Sequence, residues 1–397
     1  MTTTIIIIFC SLLLIAYLFD LTSSKTKVPS VILLLLLGWL VKQSTYFLRI
    51  QLPDFSFILP VFGTVGLILI VLEGSLELEL NKSKFRIITK SFIGALLPMF
   101  ATAFLIAYLF QYFGQFPFKD SLLNAIPFCV ISSAIAIPSV RNLASRDKEF
   151  VIYESSFSDI LGVLFFIFIA LNEIFSLNLF GQFGLQILIM IIISFISTIG
   201  LSFLLSKIQH HIKFIPIILL VILIYAISEI YHLPALIFIL IFGLIIGNLD
   251  KFMHFKWIDK FKPDILNKEV QKFKELAIES AFLVRILFFI LFGYLLETSE
   301  ILNADTIIWS LGIVFIIFLL RIIQLKISKL SLMPLLFVAP RGLITILLFL
   351  SIEPTQRIFL VNNSLIIQVI VLTALIMMVG LMMTKQNDMT KSQPPTM

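Results

Sequence analysis

The residues best suited to chemistry lie in a short polar stretch ahead of a long apolar run, where Ser155, Ser158 and Asp159 occupy positions i, i+3 and i+4. In an α-helix this spacing places two hydroxyl groups and one carboxylate on the same face. Carboxylate and hydroxyl oxygens are suited to small, hard cations. The pattern therefore indicates a site for a monovalent cation on one face of a helix.

The elements that must position this cluster are membrane-spanning helices. The chain has 397 residues, of which 60% are hydrophobic and only 13% charged, and its mean hydropathy is +1.10. Soluble domains carry about half apolar and about a quarter charged residues, so this chain has too few charges to cover a water-facing surface. The composition predicts an all-α integral membrane protein, which we expect in a bacterial cytoplasmic membrane, and it excludes a large soluble catalytic domain.

Apolar runs between charged or turn-rich segments predict a polytopic protein with about thirteen spans. Their approximate bounds are 4–21, 29–43, 56–76, 87–111, 122–143, 150–173, 183–206, 214–230, 233–249, 277–297, 305–325, 332–352 and 363–384. Most Lys and Arg residues fall in the loops after odd-numbered spans and in the tail at 385–397, which we expect to be disordered. Because cytoplasmic loops carry excess positive charge, the N-terminus is predicted outside and the C-terminus inside.

Two spans contain a proline that should interrupt the helix. Pro138 in span 5 leaves the Ala134 carbonyl without its helical donor, next to the hydroxyls of Ser132 and Ser133, and Pro340 acts in the same way in span 12. If spans 1 to 6 and 8 to 13 are two halves joined by span 7, spans 5 and 12 correspond and the halves are inverted. Paired interrupted helices in inverted halves are typical of secondary transporters, although single prolines also occur as simple kinks.

Buried charges accompany these breaks. Asp159 lies about nine residues inside span 6, roughly 14 Å from the cytoplasmic end at about 1.5 Å per residue, and Arg341 is similarly deep in span 12. An unpaired buried charge is costly, so each should have a partner. We expect Glu154 to pair with Arg341, which leaves Asp159 as the free carboxylate. The alternative pair, Asp159 with Arg341, would make both residues structural.

Four motifs together resemble a known family. They are Glu154-Ser155 followed by Ser158-Asp159, the break Pro340-Arg341-Gly342, Leu72-Glu73-Gly74 at the end of span 3, and Phe288-Phe289-Ile290-Leu291-Phe292-Gly293 in span 10. In order and spacing, from about span 2 to span 13, they resemble the cation:proton antiporter superfamily, nearest its sodium/proton exchanger branch. Two positions differ. Ser158 stands where exchangers have Asn and electrogenic members a second Asp, and Ser132-Ser133-Ala134 replaces Thr-Asp-Pro and is similar to the potassium-efflux branch.

The resemblance implies a membrane domain, residues 1–384, built from two bundles and assembled as a homodimer. A core of about 87–173 and 305–384 would carry the ion. It would move against a dimerisation bundle made of about 1–76 and 214–297, and residues 183–206 would form a linker helix.

The resemblance also implies roles for individual residues. Asp159 would bind the ion and the proton, with Ser155 as a neighbouring ligand. Glu154 and Arg341 would form the family's ion pair. Arg321 would take the place of a basic residue in the eleventh span.

Three further features have simpler interpretations beside functional ones. Glu73 is expected at the cytoplasmic interface, and Arg285, about two turns into span 10, can extend its side chain to that interface, although either could modulate transport. The loop at 251–275 mixes lysines with aromatic residues. In a membrane protein this pattern indicates an interfacial helix on anionic lipid rather than nucleic-acid binding.

The function predicted from these features is secondary active antiport of Na⁺ or K⁺ against H⁺, without a cofactor. Electroneutral exchange is expected because span 6 offers one free carboxylate.

A channel or uniporter is the alternative within transport. An intramembrane enzyme is the alternative outside it, but Ser158 beside Asp159, without His or Lys, would make a poor nucleophile, so we expect no enzymatic activity. The sequence contains no phosphate-binding glycine loop that would support ATP-driven transport.

Overall fold

The computed structural model describes residues 2–26, 28–49, 58–78, 84–140, 143–171, 177–207, 214–231, 233–249 and 263–384. The regular secondary structure of these residues is helical throughout. The helices are α1 (Thr2–Thr26), α2 (Ser30–Phe47), α3 (Ile58–Glu77), α4 (Phe85–Gly114), α5 (Phe118–Ala125), α6 (Ser133–Ser139), α7 (Ser145–Leu171), α8 (Leu177–Lys207), α9 (Phe214–Ile230), α10 (Leu236–Gly247), α11 (Pro263–Leu295), α12 (Thr298–Ile301), α13 (Ala304–Ile327), α14 (Leu343–Leu350) and α15 (Asn363–Met383).

Most of the spans predicted from hydropathy coincide with helices of the structure. Ten helical segments of the described chain are long and apolar enough to cross a membrane, and α9 and α10 are shorter apolar helices at the predicted spans 8 and 9. The prediction of an all-helical polytopic membrane protein is confirmed, whereas the count of thirteen spans and the orientation stay predictions. The expected disordered tail and residues 251–262 of the basic loop lie outside the described residues.

Polar residues define where several of these helices begin and end. The Asn303 side chain accepts a hydrogen bond from the Asp305 N–H at the start of α13, and Asn362 does the same for Leu365 at the start of α15. Such caps satisfy amide donors that have no partner within the helix. At the other end of α4, Gln115 adopts a left-handed conformation with φ of 56° and terminates the helix.

Span 5 is interrupted as predicted, but not at the predicted place. A 3₁₀ turn (Ile126–Phe128) follows α5, residues 129–132 are not helical, and Pro138 lies inside α6. The interruption therefore precedes Pro138, and its cause is tertiary. Three consecutive amide groups, those of Ile131, Ser132 and Ser133, donate to acceptors outside their own helix, namely Ser158 Oγ, the Pro340 carbonyl and Asp159 Oδ2.

Span 12 is interrupted over a longer stretch. Pro340 lies in the non-helical residues 338–342, as predicted, and only the eight residues of α14 form a helix in this span. The two interruptions touch each other, since the Ser132 N–H donates to the Pro340 carbonyl over 2.9 Å. The breaks of spans 5 and 12 therefore meet in the interior of the protein.

Glycines allow other helices to approach closely. A Cβ atom added at Gly38 of α2 would lie 2.1 Å from the Ile290 carbonyl oxygen of α11, and one added at Gly293 of α11 would lie 2.3 Å from the Leu35 carbonyl oxygen. Gly247 of α10 packs in the same way against the backbone of Leu76 in α3. These backbone contacts fix α2 to α11 and α10 to α3.

Candidate functional site

Asp159 lies at the centre of the candidate site, on α7 and facing the break of span 5. The side chain is 3% exposed. The backbone N–H of Ser133 donates to Asp159 Oδ2 over 3.2 Å, and the Ser133 hydroxyl donates to the same oxygen. The second oxygen, Oδ1, is buried and has no hydrogen-bond partner among the described residues. One carboxylate oxygen is thus held in place while the other retains unused acceptor capacity.

The remaining predicted serines are all buried near this carboxylate, but they make different contacts. Ser158 Oγ accepts the Ile131 N–H over 2.9 Å and so stabilises the break of span 5. Ser155 Oγ donates within its own helix, to the Val151 carbonyl over 2.7 Å. Ser132 contributes its backbone N–H to the crossing, and its side chain packs where Gly342 leaves room, since a Cβ there would lie 2.8 Å from Ser132 Oγ.

Glu154 pairs with Arg321, so the predicted pair of Glu154 with Arg341 is wrong. Arg321 Nη1 lies 2.5 Å from Glu154 Oε1, and both side chains are almost fully buried. The physical reason is the location of the two arginines. Arg321 projects from the continuous helix α13 toward Glu154, whereas Arg341 lies in the break of span 12, where unpaired carbonyls are available to it.

Arg341 directs its donors to the carbonyls of both breaks. Its Nε donates to the Phe128 carbonyl over 2.6 Å and its Nη1 to the Ala339 carbonyl over 2.8 Å, while its backbone N–H donates to Thr373 Oγ1 over 3.1 Å. Phe128 precedes the break of span 5 and Ala339 lies in that of span 12. The guanidinium therefore replaces the helical donors that these carbonyls lack.

Gln324 also belongs to the buried network, although no sequence motif pointed to it. Its Nε2 donates to Glu154 Oε1 over 2.8 Å, and its Oε1 accepts from Arg321 Nη1 over 2.9 Å. Gly94 of α4 makes room for it, because a Cβ there would lie 2.7 Å from Gln324 Nε2. The i, i+3 spacing of Arg321 and Gln324 in a predicted span was a signal that could have found this residue.

A cavity of about 360 Å³ extends between α3 and α11 on one side and α6 and α7 on the other. Ser133, the hydrogen-bond donor to Asp159, is one of its lining residues, and Glu73 and Arg285 line it as well. Arg285 Nη1 lies 3.8 Å from Glu73 Oε2, and both side chains are partly buried. The two residues thus form an ion pair in the wall of the cavity, which also reaches Ser133, the partner of Asp159.

The site offers oxygen ligands, among them the carboxylate oxygen Oδ1 of Asp159, which has no hydrogen-bond partner among the described residues. The described side chains do not form a set suited to a transition metal. Within the described ranges, no three His, Cys, Asp or Glu side chains converge as metal ligands. Carboxylate, hydroxyl and carbonyl oxygens at the crossing of two interrupted helices suit a small cation or a proton.

Comparison with solved structures shows a similar fold in known proteins. The chain is similar to two solved structures of the sodium proton antiporter MjNhaP1 from Methanocaldococcus jannaschii. One, at pH 8, has a TM-score of 0.65, 19% identity and coverage of 96% of each chain. The other, from electron microscopy, has a TM-score of 0.67, 19% identity and coverage of 96% of this chain and 95% of that one. A comparison with curated protein sequences found no match.

The sequence itself matches the family described as "Sodium/hydrogen exchanger, transmembrane" over residues 10–385, nearly the whole chain. This match confirms the family that the four motifs indicated. The chain belongs to the sodium/hydrogen exchanger family, whose members are cation:proton antiporters and not enzymes.

Proposed function

We propose that the protein exchanges Na⁺ or K⁺ for H⁺ electroneutrally, and that Asp159 binds either the cation or the proton. The observation that carries this proposal is the buried Asp159 carboxylate, with Oδ1 lacking a partner and Oδ2 held by Ser133. A buried charge without a counter-ion is costly, so the carboxylate must be neutralised by a proton or by a cation.

Coupling follows from competition for one group. A cation that reaches Asp159 displaces the proton, and a proton displaces the cation. Because an empty, charged carboxylate is costly to move through the membrane, only the loaded site changes sides, and neither flow proceeds without the other. Ser133 lies at the wall of the cavity and contacts Asp159, which makes it the first member of the site that an ion from this cavity meets. Ser132, Ser155 and Ser158 supply further oxygens nearby, all of them buried.

Electroneutral exchange is favoured by the engagement of Glu154. Its Oε1 accepts from both Arg321 and Gln324, so it is already neutralised in place. Ser158 occupies the position before Asp159 and contributes no charge. One carboxylate then remains for one proton and one monovalent cation.

The choice of cation rests on two considerations that point in different directions. The family match and the name of the similar antiporter favour Na⁺. The Ser132-Ser133-Ala134 sequence at the break is similar to that of the potassium-efflux branch and keeps K⁺ as a candidate.

We also propose how the site is exposed alternately to the two sides of the membrane. The core bundle, with α4 to α7 and α13 to α15, would move against α1 to α3 and α9 to α11, and the latter would form a homodimer in a bacterial cytoplasmic membrane. Lys148 and Lys274 line the cavity and belong to segments that the charge asymmetry predicts on the cytoplasmic side. The cavity would accordingly be the cytoplasmic access path, with lipids surrounding both bundles.

The experiment is transport in proteoliposomes with an imposed pH gradient. Proton flux is recorded with a pH-sensitive dye on addition of Na⁺, K⁺ or Li⁺ in turn. Dependence of proton flux on one or more of these cations supports the proposal, and cation flux that proceeds without proton movement would indicate a channel or uniporter instead.

A further inference from the structure

Ser156, which follows the predicted ligand Ser155, has a buried hydroxyl group with no hydrogen-bond partner among the described residues. The side chain is 3% exposed. A helical serine can ordinarily bond the carbonyl four residues earlier, as Ser155 does with Val151. Ser156 Oγ makes no such bond. Since an unpaired buried hydroxyl costs free energy, the missing partner calls for an explanation.

The hydroxyl faces α3 across a glycine. A Cβ added at Gly74 would lie 3.5 Å from Ser156 Oγ, an ordinary van der Waals distance, so the hydroxyl packs against α3 at this glycine. Gly74 lines the 360 Å³ cavity, and so does Ile152, one turn before Ser156 on α7. Ser156 therefore lies directly behind the cavity wall, about 4.5 Å along α7 from Asp159 at about 1.5 Å per residue.

We propose that Ser156 Oγ is a transient ligand for a partly hydrated monovalent cation on its way between the cavity and Asp159. This inference rests on the proposed antiport function. The hydroxyl oxygen replaces one water of the hydration shell as the cation leaves the cavity. Because this ligand is neutral, it holds the ion more weakly than the Asp159 carboxylate and releases it in either direction.

A purely structural role predicts different behaviour, and the chain offers a matched control. Ser121 of α5 also has a buried hydroxyl without a partner in the described part of the chain, but α5 contributes no residue to the wall of this cavity, whereas the α7 helix of Ser156 contributes Lys148 and Ile152. If an unpaired hydroxyl matters only through packing, Ser121→Ala and Ser156→Ala should act alike. If Ser156 is a ligand, only its own substitution should change the handling of the cation.

The test compares the KM for the transported cation in everted and right-side-out membrane vesicles. Ser156→Ala should raise this KM about fivefold, equivalent to about 1 kcal/mol, in the vesicle orientation that presents the cavity, and leave it unchanged in the other. Ser156→Thr, which retains the hydroxyl, should stay close to the unsubstituted protein. Ser121→Ala should change neither value.

A KM within about twofold of the original in both orientations, or an equal rise in both, would overturn the ligand role. Those results would leave the antiport function intact, because exchange itself would still be measured. Absence of any cation-dependent proton flux in the unsubstituted protein would overturn both proposals. The unsubstituted protein is therefore measured first.

Discussion

Arg321 and Glu154 form an ion pair in the interior of the protein, with 2.5 Å between Nη1 and Oε1. The other donors of Arg321 go to Gln324 and to the carbonyls of Leu335 and Val338, in the interrupted span 12. All five N–H groups of the guanidinium are thereby used. The Arg321 side chain thus connects the helix that carries Asp159 with the interrupted span 12.

The first prediction concerns the coupling between these two residues. Glu154→Gln and Arg321→Gln should each lower stability by about 3 kcal/mol, because each leaves a buried charge unpaired. The double variant should cost clearly less than the sum, with a coupling of about 1 to 3 kcal/mol. Thermal unfolding of the detergent-solubilised protein measures all three.

A control cycle uses the other buried arginine. Arg341 donates to backbone carbonyls, so combining Arg341→Gln with Glu154→Gln should be closer to additive. Stronger coupling of Glu154 with Arg341 than with Arg321 would restore the pairing that the sequence suggested and refute the observed one.

A second prediction addresses the glycine contact between α2 and α11. Gly38→Ala should destabilise the protein by about 1 to 3 kcal/mol, because the new methyl group meets backbone that has to shift. Gly312→Ala is the matched control, since a Cβ at Gly312 of α13 has nothing within 4 Å. We expect that variant to be neutral or slightly stabilised, since alanine favours a helix over glycine by up to about 1 kcal/mol. Equal melting temperatures for the two variants would argue against the close contact.

Much of this site could be predicted because local patterns determine it. The spacing of Ser155, Ser158 and Asp159 follows from helical periodicity, and hydropathy located the helix that carries them. The break of span 12 was also predictable from sequence, since Pro340 lies within it. Each of these features is determined by the residues of a single segment, so it could be predicted from the sequence of that segment.

The features that were missed depend on contacts between segments. Arg321 lies about four residues from the cytoplasmic end of its predicted span, as Glu154 does, and Arg341 lies deeper, but no periodicity states which arginine faces Glu154. The break of span 5 is likewise set by Ser158 and Asp159 of another helix, which accept amide protons from residues 131 and 133, rather than by Pro138. Gln324 was overlooked because a glutamine in an apolar span carries no charge that demands a partner.

A third prediction is that transport moves no net charge. With Glu154 engaged by Arg321, a single carboxylate exchanges one proton for one cation, whereas each unbalanced charge would respond to about 2.3 kcal/mol per 100 mV. Proteoliposomes with a potential imposed by K⁺ and valinomycin, supplied with Na⁺ if it is a substrate, should show a rate independent of voltage. A sustained current on a supported membrane would reveal a second titrating group.

A fourth prediction concerns the effect of pH on the apparent affinity. Because one proton competes with one cation, KM for the cation should rise about tenfold for each unit by which pH falls, in the range where the site is mostly protonated. The maximal rate at saturating cation should change much less. Initial rates over a matrix of pH and cation concentration measure the slope, and a slope near two decades per unit would indicate two protons.

The central claim is that Asp159 carries both substrates, and proton flux through Asp159→Asn measures it most directly. The amide keeps the size of the side chain but binds neither a proton nor a cation as the carboxylate does. Asp147→Asn, on the first turn of the same helix, serves as the matched control. With both variants folded in proteoliposomes, we predict that cation-dependent proton flux disappears in Asp159→Asn and persists in Asp147→Asn. Substantial cation-dependent proton flux in Asp159→Asn would contradict the mechanism.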